Sequence, residues 1–286
     1  MKAGVKDSIS ELLGTKINIC APVSGGDISS AYVLDTASDR IFCKLNSSPV
    51  AKAMFMAEME GLQAIAKTKT IKTPAVFGVH ELEKGACLLM EYIPSKSPRT
   101  RDWELLGVQL AAMHQTGSNY YGWENSNFIG NLPQANQKDD NWATFYAKRR
   151  LIPQFEAAVA QAYLGVDEVP GPEKIISVIA SCCPDVKPSL VHGDLWSGNY
   201  LISEYGVPYL IDPAVYFGHH EIDLSMSRLF GGFDSPFYAA YFEINPAQPG
   251  ETNRMEIYQL YHLLVHLNLF GKAYYSSVKE ILHRHF

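Results

Sequence analysis

Apolar positions in the first third of the chain recur at two spacings, one typical of strands and one typical of a helix. Alternating runs predict five β-strands, at residues 17–23, 28–35, 40–45, 75–79 and 86–90. Apolar residues three and four positions apart predict a long helix over 50–67, and a shorter helix is predicted at 7–14. This part of the chain therefore predicts an antiparallel sheet with a long helix.

The pattern changes near residue 94, where a polar run rich in Ser, Lys and Pro follows the last strand. Beyond it, helical spacing predicts helices at 103–116, 142–164, 173–182, 233–244 and 253–273, with a long irregular stretch at 117–141. The sequence therefore predicts an α+β protein of two lobes. Residues 1–93 form an N-terminal sheet lobe, and residues 94–286 form a mainly helical C-terminal lobe.

A predicted hairpin interrupts the helical part at residues 190–213 and carries the strongest candidate chemistry. Leu190-Val191 lead into a loop with Asp194, Asn199 follows five residues later, and the second strand ends on Asp212. The hairpin brings an acid, an amide and a second acid to one end, which is the residue set of phosphoryl transfer. One carboxylate orients the attacking hydroxyl, while the amide and the second carboxylate hold Mg²⁺ on nucleotide phosphates. A polar hairpin with turn-forming Asp and Asn is the structural alternative, which the full spacing disfavours.

The composition and charge of the chain disfavour disordered, nucleic-acid-binding and membrane-spanning proteins. With 286 residues, 47% hydrophobic and 19% charged, the chain should fold as a globular protein rather than stay disordered. A net charge of −6 argues against nucleic acid as a partner, since such proteins present basic patches. No apolar run approaches the roughly 18 residues of a membrane span, and no signal peptide is visible. Five cysteines without framework spacing favour reduced thiols and a cytoplasmic location, and the oligomeric state is left open.

Two features of the predicted sheet suit a nucleotide. Gly25-Gly26 lies between two strands, where glycine lets backbone amides approach phosphate oxygens, although the same pair also suits an ordinary hairpin. Lys44 lies in the middle of the third strand, so it faces either solvent or an anion. The following helix carries Glu58 and Glu60 on different faces, and one of them is expected to pair with Lys44.

These residues resemble the fructosamine/ketosamine-3-kinase family, which belongs to the aminoglycoside-phosphotransferase-like branch of the protein-kinase fold. The resemblance rests on His192-Gly-Asp194-Leu-Trp196-Ser-Gly-Asn199 followed by Asp212-Pro-Ala. Aminoglycoside and choline kinases share the His-Gly-Asp…Asn…Asp skeleton, whereas Leu-Trp-Ser-Gly-Asn is particular to fructosamine kinases. Further matches cover almost the whole chain, among them Phe55-Met-Ala-Glu58, Gly130-Asn-Leu-Pro-Gln134-Ala-Asn136, Phe217-Gly-His-His-Glu-Ile-Asp223 and Phe230-Gly-Gly-Phe233.

The resemblance implies phosphorylation of the 3-hydroxyl of ketosamines with ATP and Mg²⁺, a deglycation activity. It implies that Asp194 is the catalytic base and that Asn199 and Asp212 are the Mg²⁺ ligands. The other implied roles are nucleotide binding by Gly25, Gly26, Lys44, Glu58, Glu91 and Tyr92, substrate contact by Trp196 and Gln134, and support of the catalytic loop by His192 and Asp223.

Two other functions stay open from the sequence. One is a kinase for another small alcohol, such as an aminoglycoside or choline, which the family-specific loop disfavours. The other is a nucleotide-binding pseudokinase, which the joint presence of Lys44, Glu58, Asp194, Asn199 and Asp212 disfavours. The preferred sugar, and whether the substrate is a free amino-acid adduct or a protein adduct, are not determined. Many family members carry Tyr where this chain has Phe217, which puts a hydroxyl role there in doubt.

Overall fold

The computed structural model of the protein describes residues 1–23, 28–183 and 186–286. The strands in this part of the chain are β1 (Ile19–Val23), β2 (Ser30–Asp35), β3 (Arg40–Asn46), β4 (Val76–Glu81), β5 (Ala86–Glu91), β6 (Ser95–Lys96), β7 (Asn127–Ile129), β8 (Leu132–Gln134), β9 (Ser189–Val191), β10 (Tyr200–Ser203), β11 (Pro208–Leu210) and β12 (Tyr216–Gly218). The helices are α1 (Ala3–Leu13), α2 (Ala51–Thr68), α3 (Thr100–His114), α4 (Trp142–Tyr146), α5 (Ile152–Ala160), α6 (Pro172–Cys182), α7 (Glu221–Leu229), α8 (Ser235–Ile244), α9 (Glu251–Phe270) and α10 (Tyr275–His285).

The first of two compact units contains a five-stranded antiparallel sheet in the order β1-β2-β3-β5-β4. Successive side chains of a strand point to opposite faces, and β3 shows the consequence. Ile41 and Cys43 enter a core that includes Ile9 of α1, while Phe42 packs on the other face with Phe55 of α2. The sheet is therefore covered by apolar contacts on both faces.

A hairpin from late in the chain also belongs to this first unit, which comprises Met1–Pro98 and Tyr200–Asp212. Strands β10 and β11 pair with each other, and β10 also pairs with β6. The backbone N–H of Leu210 donates to the carbonyl of Lys72 at 2.9 Å. These bonds place the hairpin in a three-stranded sheet of the first unit. The predicted domain boundary at residues 93 and 94 stays a prediction.

The second unit, Arg99–Asn199 and Pro213–Phe286, is mainly helical. Helix α9 runs through its core, with Ile257, Leu260 and Leu264 all buried. Two short antiparallel pairs, β9 with β12 and β7 with β8, lie in the same unit. A strand-bearing first unit and a helical second unit together form the predicted α+β fold. Among the described residues, none of the helices combines the length and apolar character needed to cross a membrane.

The helix predicted over 142–164 is divided into α4 and α5 and ends at Ala160, and three further elements differ from the expectation. Helix α1 begins at Ala3 rather than at residue 7, because Val5 packs against the sheet core and extends the helix. The stretch predicted as irregular at 117–141 contains the hairpin of β7 and β8, whose three-residue strands are too short for a period-two signal. Helix α10 was not predicted, although its buried Val278 and Leu282 have helical spacing.

Candidate active site

An ion-pair cluster of one lysine and two acids lies within the first unit. Lys44 follows Phe42 by two positions on β3 and therefore shares the strand face that packs against α2. Glu58 lies three residues after the buried Phe55 on the inward face of that helix. Lys44 Nζ lies 2.8 Å from both carboxylate oxygens of Glu58 and 2.9 Å from Oδ1 of Asp212. The predicted Lys44–Glu58 ion pair is therefore present, and Asp212 completes a cluster of three charges.

The two acids of this cluster keep Lys44 in its charged form. Burial would lower the pKa of Lys44, but the charges of Asp212 and Glu58 outweigh it and hold that pKa above its ordinary value. Burial and the negative charge of Asp212 raise the pKa of Glu58 to about 7, against the opposing effect of Lys44. Lys44 therefore stays protonated and presents a compact positive charge of the kind that binds phosphate oxygens. The Asp212 side chain is 52% exposed, so its carboxylate is the member of the cluster most open to a ligand.

The backbone of Asp212 is unusual for a residue that is not glycine. It follows β11 by two positions and has a φ of 56°, in the left-handed region. Backbone conformations of this kind cost free energy and concentrate at functional sites. The conformation is consistent with a carboxylate retained for its chemistry rather than for the stability of the turn.

The predicted catalytic loop follows β9 in the second unit. Gly193 has a φ of 83°, and a Cβ there would lie 2.3 Å from the carbonyl oxygen of Ala214, so only glycine fits this position of the motif. Asn199 is buried, and its Nδ2 donates to the backbone oxygen of Asp194 at 2.9 Å and to its Oδ2 at 3.2 Å. The first bond holds the backbone of the loop, and the second orients the partly exposed Asp194 carboxylate.

A fully buried carboxylate, Asp223, holds the backbone of this loop. Its Oδ2 accepts from the N–H of His192 at 2.7 Å, and its Oδ1 accepts from the N–H of Gly193 at 2.8 Å. The same carboxylate lies 2.9 Å from Nε2 of His114. Burial would raise the pKa of Asp223, but the hydrogen bonds and the histidine charges together hold it below its ordinary value. Asp223 is therefore an ionised acceptor beneath the loop, while its role in the reaction stays a prediction.

His114 is a residue of this arrangement that the sequence analysis does not identify. Its side chain is fully buried between Asp223 and Tyr241, whose hydroxyl lies 2.8 Å from Nδ1. Because a carboxylate only accepts, Nε2 of His114 carries the proton. The sequence feature that could have indicated its burial is its position next to the apolar Met113 in α3.

The two residues predicted to contact the substrate lie in different environments of the second unit. Gln134 is only 2% exposed, its Oε1 accepts from the Tyr261 hydroxyl at 2.7 Å, and its Nε2 donates to Asn127 Oδ1 at 2.8 Å. These contacts give Gln134 a structural role and do not support the predicted substrate contact. Trp196 is partly exposed, and its ring lies against the backbone of Gly198. Substrate contact by Trp196 stays a prediction.

The remaining predicted nucleotide residues are only partly described. Glu91 ends β5, and its Oε2 accepts from the N–H of Ala75 at 3.1 Å. Tyr92 follows it, with the Arg40 guanidinium 5.9 Å from its ring centroid. The predicted phosphate contacts of Gly25 and Gly26 lie outside the described residues. The adenine-binding role of residues 91–92 stays a prediction.

Comparisons with known proteins give a consistent result. The sequence model of the fructosamine kinase family matches residues 1–286. A Synechocystis protein named "Probable ketoamine kinase" is 40% identical over 263 residues, which cover 91% of this chain and 88% of the relative. The chloroplastic protein-ribulosamine 3-kinase of Arabidopsis thaliana is 37% identical over 282 residues, covering 96% of this chain and 84% of that protein.

Solved structures extend the comparison to the fold. The crystal structure of a candidate fructosamine-3-kinase from Thermobifida fusca has a TM-score of 0.87 at 31% identity, with 99% of this chain and 98% of that chain covered. The aminoglycoside phosphotransferase APH(4)-Ia has a TM-score of 0.66 at 15% identity, with 98% of each chain covered. At this identity the second likeness concerns the fold alone, which is the predicted kinase-like fold.

Proposed function

The chain belongs to the fructosamine kinase family, and on that premise we propose that it transfers the γ-phosphoryl group of ATP to the 3-hydroxyl of ketosamines. Its relatives are named as ketoamine and protein-ribulosamine kinases. The observation that carries the proposal is the ion-pair cluster of Lys44, Glu58 and Asp212, because a pseudokinase has no need of a buried lysine held between two acids.

The catalytic loop supplies the base of the proposed reaction. Asn199 Nδ2 donates to Oδ2 of Asp194 and so orients the carboxylate that would accept from the substrate hydroxyl. The bond between O3 and phosphorus forms while the bond from phosphorus to the leaving ADP oxygen breaks. The O3 proton passes to Asp194. An alcohol is a weak acid, so Asp194 acts mainly by orienting the hydroxyl and takes its proton late.

Lys44 would bind the nucleotide in the proposed reaction. As a protonated amine fixed by Glu58, it would hold the α- and β-phosphate oxygens. Asn199 and Asp212 offer an amide oxygen and a carboxylate, the hard oxygen donors that Mg²⁺ prefers. Because Asn199 Nδ2 donates to Asp194, its Oδ1 would be the atom that holds the ion. The ion, when bound, would neutralise charge on the phosphates.

The product explains the deglycation activity. Loss of a proton from carbon 1 converts the 3-phosphorylated ketosamine to a 1,2-enaminol, which expels phosphate from carbon 3. Water then hydrolyses the resulting imine at carbon 1, which frees the amine and leaves a dicarbonyl sugar. The proposed substrate is therefore the adduct of a sugar with an amino group, on an amino acid or on a protein.

The test is ADP release from MgATP with a ribulosamine, a fructosamine, an aminoglycoside and choline as acceptors. We expect turnover on the ketosamines, with the ratio of kcat/KM values ranking the two sugars. Turnover on the aminoglycoside or choline alone would contradict the proposal and assign a sister activity. ATP binding without turnover on any acceptor would favour the pseudokinase.

Replacing Lys44 with methionine should lower kcat/KM for ATP by about a hundredfold, because the phosphates lose a fixed positive charge in the transition state. Steady-state kinetics with a saturating ketosamine would measure the change. Lys52→Met is the matched control: Lys52 lies on the neighbouring helix in an exposed pair with Glu81, and its loss should change kcat/KM less than twofold. Equal losses in both variants would show that Lys44 has no special role.

A further inference from the structure

Four rings form an exposed cluster on the second unit: Phe230, His266, Phe270 and Tyr274, here named the Phe230 cluster. The His266 ring lies at its centre, with its centroid 4.6 Å from that of Phe230, 5.5 Å from that of Phe270 and 5.1 Å from that of Tyr274. Phe230 is 41% exposed and Phe270 is 47% exposed. Clusters of large apolar side chains that are exposed to solvent are a feature of binding surfaces.

The cluster is held by regular structure. His266 and Phe270 lie four residues apart on α9 and therefore on one face of that helix. Nδ1 of His266 lies 2.8 Å from the carbonyl oxygen of His262, and because a carbonyl only accepts, this nitrogen carries a proton. The central ring is thus fixed in orientation, and the two phenylalanines flank it.

The Phe230 cluster is linked to the catalytic loop by a two-residue glycine connection. Gly232, two positions after Phe230, has a φ of 90°. A Cβ on Gly232 would lie 2.4 Å from Cβ and 2.9 Å from Oγ of Ser197, so its backbone packs directly on the loop. Ser197 stands three residues after Asp194 and two before Asn199. The chain segment that follows Phe230 therefore packs on the loop that carries Asp194 and Asn199.

We propose that the Phe230 cluster binds the amine-bearing part of the substrate: the protonated ketosamine nitrogen and the carbon chain attached to it. This inference rests on the proposed function. The nitrogen of a ketosamine is separated from its 3-hydroxyl by a few covalent bonds and is a cation at neutral pH. Aromatic faces attract such a cation, and the same faces bury an apolar chain such as that of a modified lysine.

The proposal assigns the two ends of the substrate to different residues. The sugar end is common to ketosamines of one sugar and is positioned by Asp194. The amine end varies from one adduct to another, and the Phe230 cluster would bind its carbon chain. The Phe230 cluster would therefore set which adducts are preferred, through KM rather than through kcat.

Two ketosamines of the same sugar test this assignment: the adduct of Nα-acetyl-lysine, with a long chain, and the adduct of methylamine, with almost none. Phe230→Ala and Phe270→Ala should each raise KM for the lysine adduct about tenfold. They should raise KM for the methylamine adduct less, about threefold, because this adduct keeps the cation but lacks the chain, and they should change KM for ATP and kcat less than twofold. Phe77→Ala is the matched control, because Phe77 is 55% exposed on β4 of the first unit and should change none of these values.

Two results would overturn the subsite. One is an equal rise of KM for both adducts, and the other is no rise for either, as a surface for a protein partner would give. Phe230→Leu guards against a loss of folding, because leucine keeps apolar bulk but has no aromatic face. It should still raise KM for the lysine adduct several-fold. Lack of turnover by the wild-type protein on both adducts would instead overturn the proposed function, and this subsite with it.

Discussion

Asp194→Asn should lower kcat on a ketosamine by about a thousandfold or more while changing the affinity for ATP less than twofold. A general base that also orients its substrate contributes about 10²–10⁴ in rate. Asparagine keeps the size of the side chain and one oxygen to accept from Asn199, so the loop should keep its fold. The loss is then confined to the orientation and deprotonation of the hydroxyl. Steady-state kcat and calorimetric ATP binding measure the two quantities separately.

The matched control is Asp167→Asn, which changes an exposed acid in a turn of the same unit. It should leave kcat and the affinity for ATP within twofold of the wild type. If Asp194→Asn kept more than a tenth of the wild-type kcat, Asp194 would not be the base, and another acid would have to orient the hydroxyl.

Asp223→Asn should lower both the stability of the protein and its kcat. Asp223 accepts from the backbone of His192 and Gly193 and from His114, and it does so while fully buried. An amide would turn donor hydrogens toward one of these donors and would remove the charge. We expect the free energy of unfolding to fall by about 3 kcal/mol and kcat to fall about a hundredfold as the loop loses its anchor. Urea unfolding and kcat measured on the folded protein test the two effects.

This stabilisation should also depend on pH. The pKa of Asp223 is held below its ordinary value, so the folded state favours the ionised carboxylate. The contribution to stability is complete above the pKa of the unfolded chain, about 4, and is lost as the pH falls through the folded-state pKa. The difference in unfolding free energy between wild type and Asp223→Asn should therefore shrink below about pH 4.

Glu221→Gln is the matched control for Asp223. Glu221 lies two residues earlier on α7, is buried, and pairs with Arg254 through two contacts of 2.6 Å. Its replacement should cost comparable stability without a comparable loss of kcat, because Glu221 contacts Arg254 rather than the loop that carries Asp194. If both variants lost kcat equally, the effect of Asp223 would reflect general destabilisation rather than the position of the catalytic loop.

Much of the site follows from local patterns in the chain. Alternation along β3 places Lys44 on the face of Phe42, and helical spacing places Glu58 on the face of Phe55, so their pairing is predictable. The glycine of the catalytic motif is likewise required by a local conformation, the positive φ of Gly193. Such features depend on residues close together in the sequence or on a single pair of elements.

Other parts were not predictable because they depend on residues far apart. His114 and Asp223 are 109 residues apart, and no local pattern predicts that a histidine at the end of a helix will form a hydrogen bond with a buried acid. Gln134 stands in a motif that resembles a substrate loop, yet it is buried and accepts a hydrogen bond from Tyr261, 127 residues away in the sequence. In both cases, packing between distant elements decided the surroundings of the side chain.

The sequence by itself determined the fold class, the family and the residues of phosphoryl transfer, because periodicity and motif spacing are properties of the chain alone. Only the tertiary structure decided that the hairpin Tyr200–Asp212 joins the first unit, through its pairing with β6 and its bond to Lys72. Only the tertiary structure placed three rings around His266 and packed the glycine connection after Phe230 on the catalytic loop. These arrangements depend on contacts between segments that are distant in the sequence. Local sequence patterns do not predict which of these contacts form.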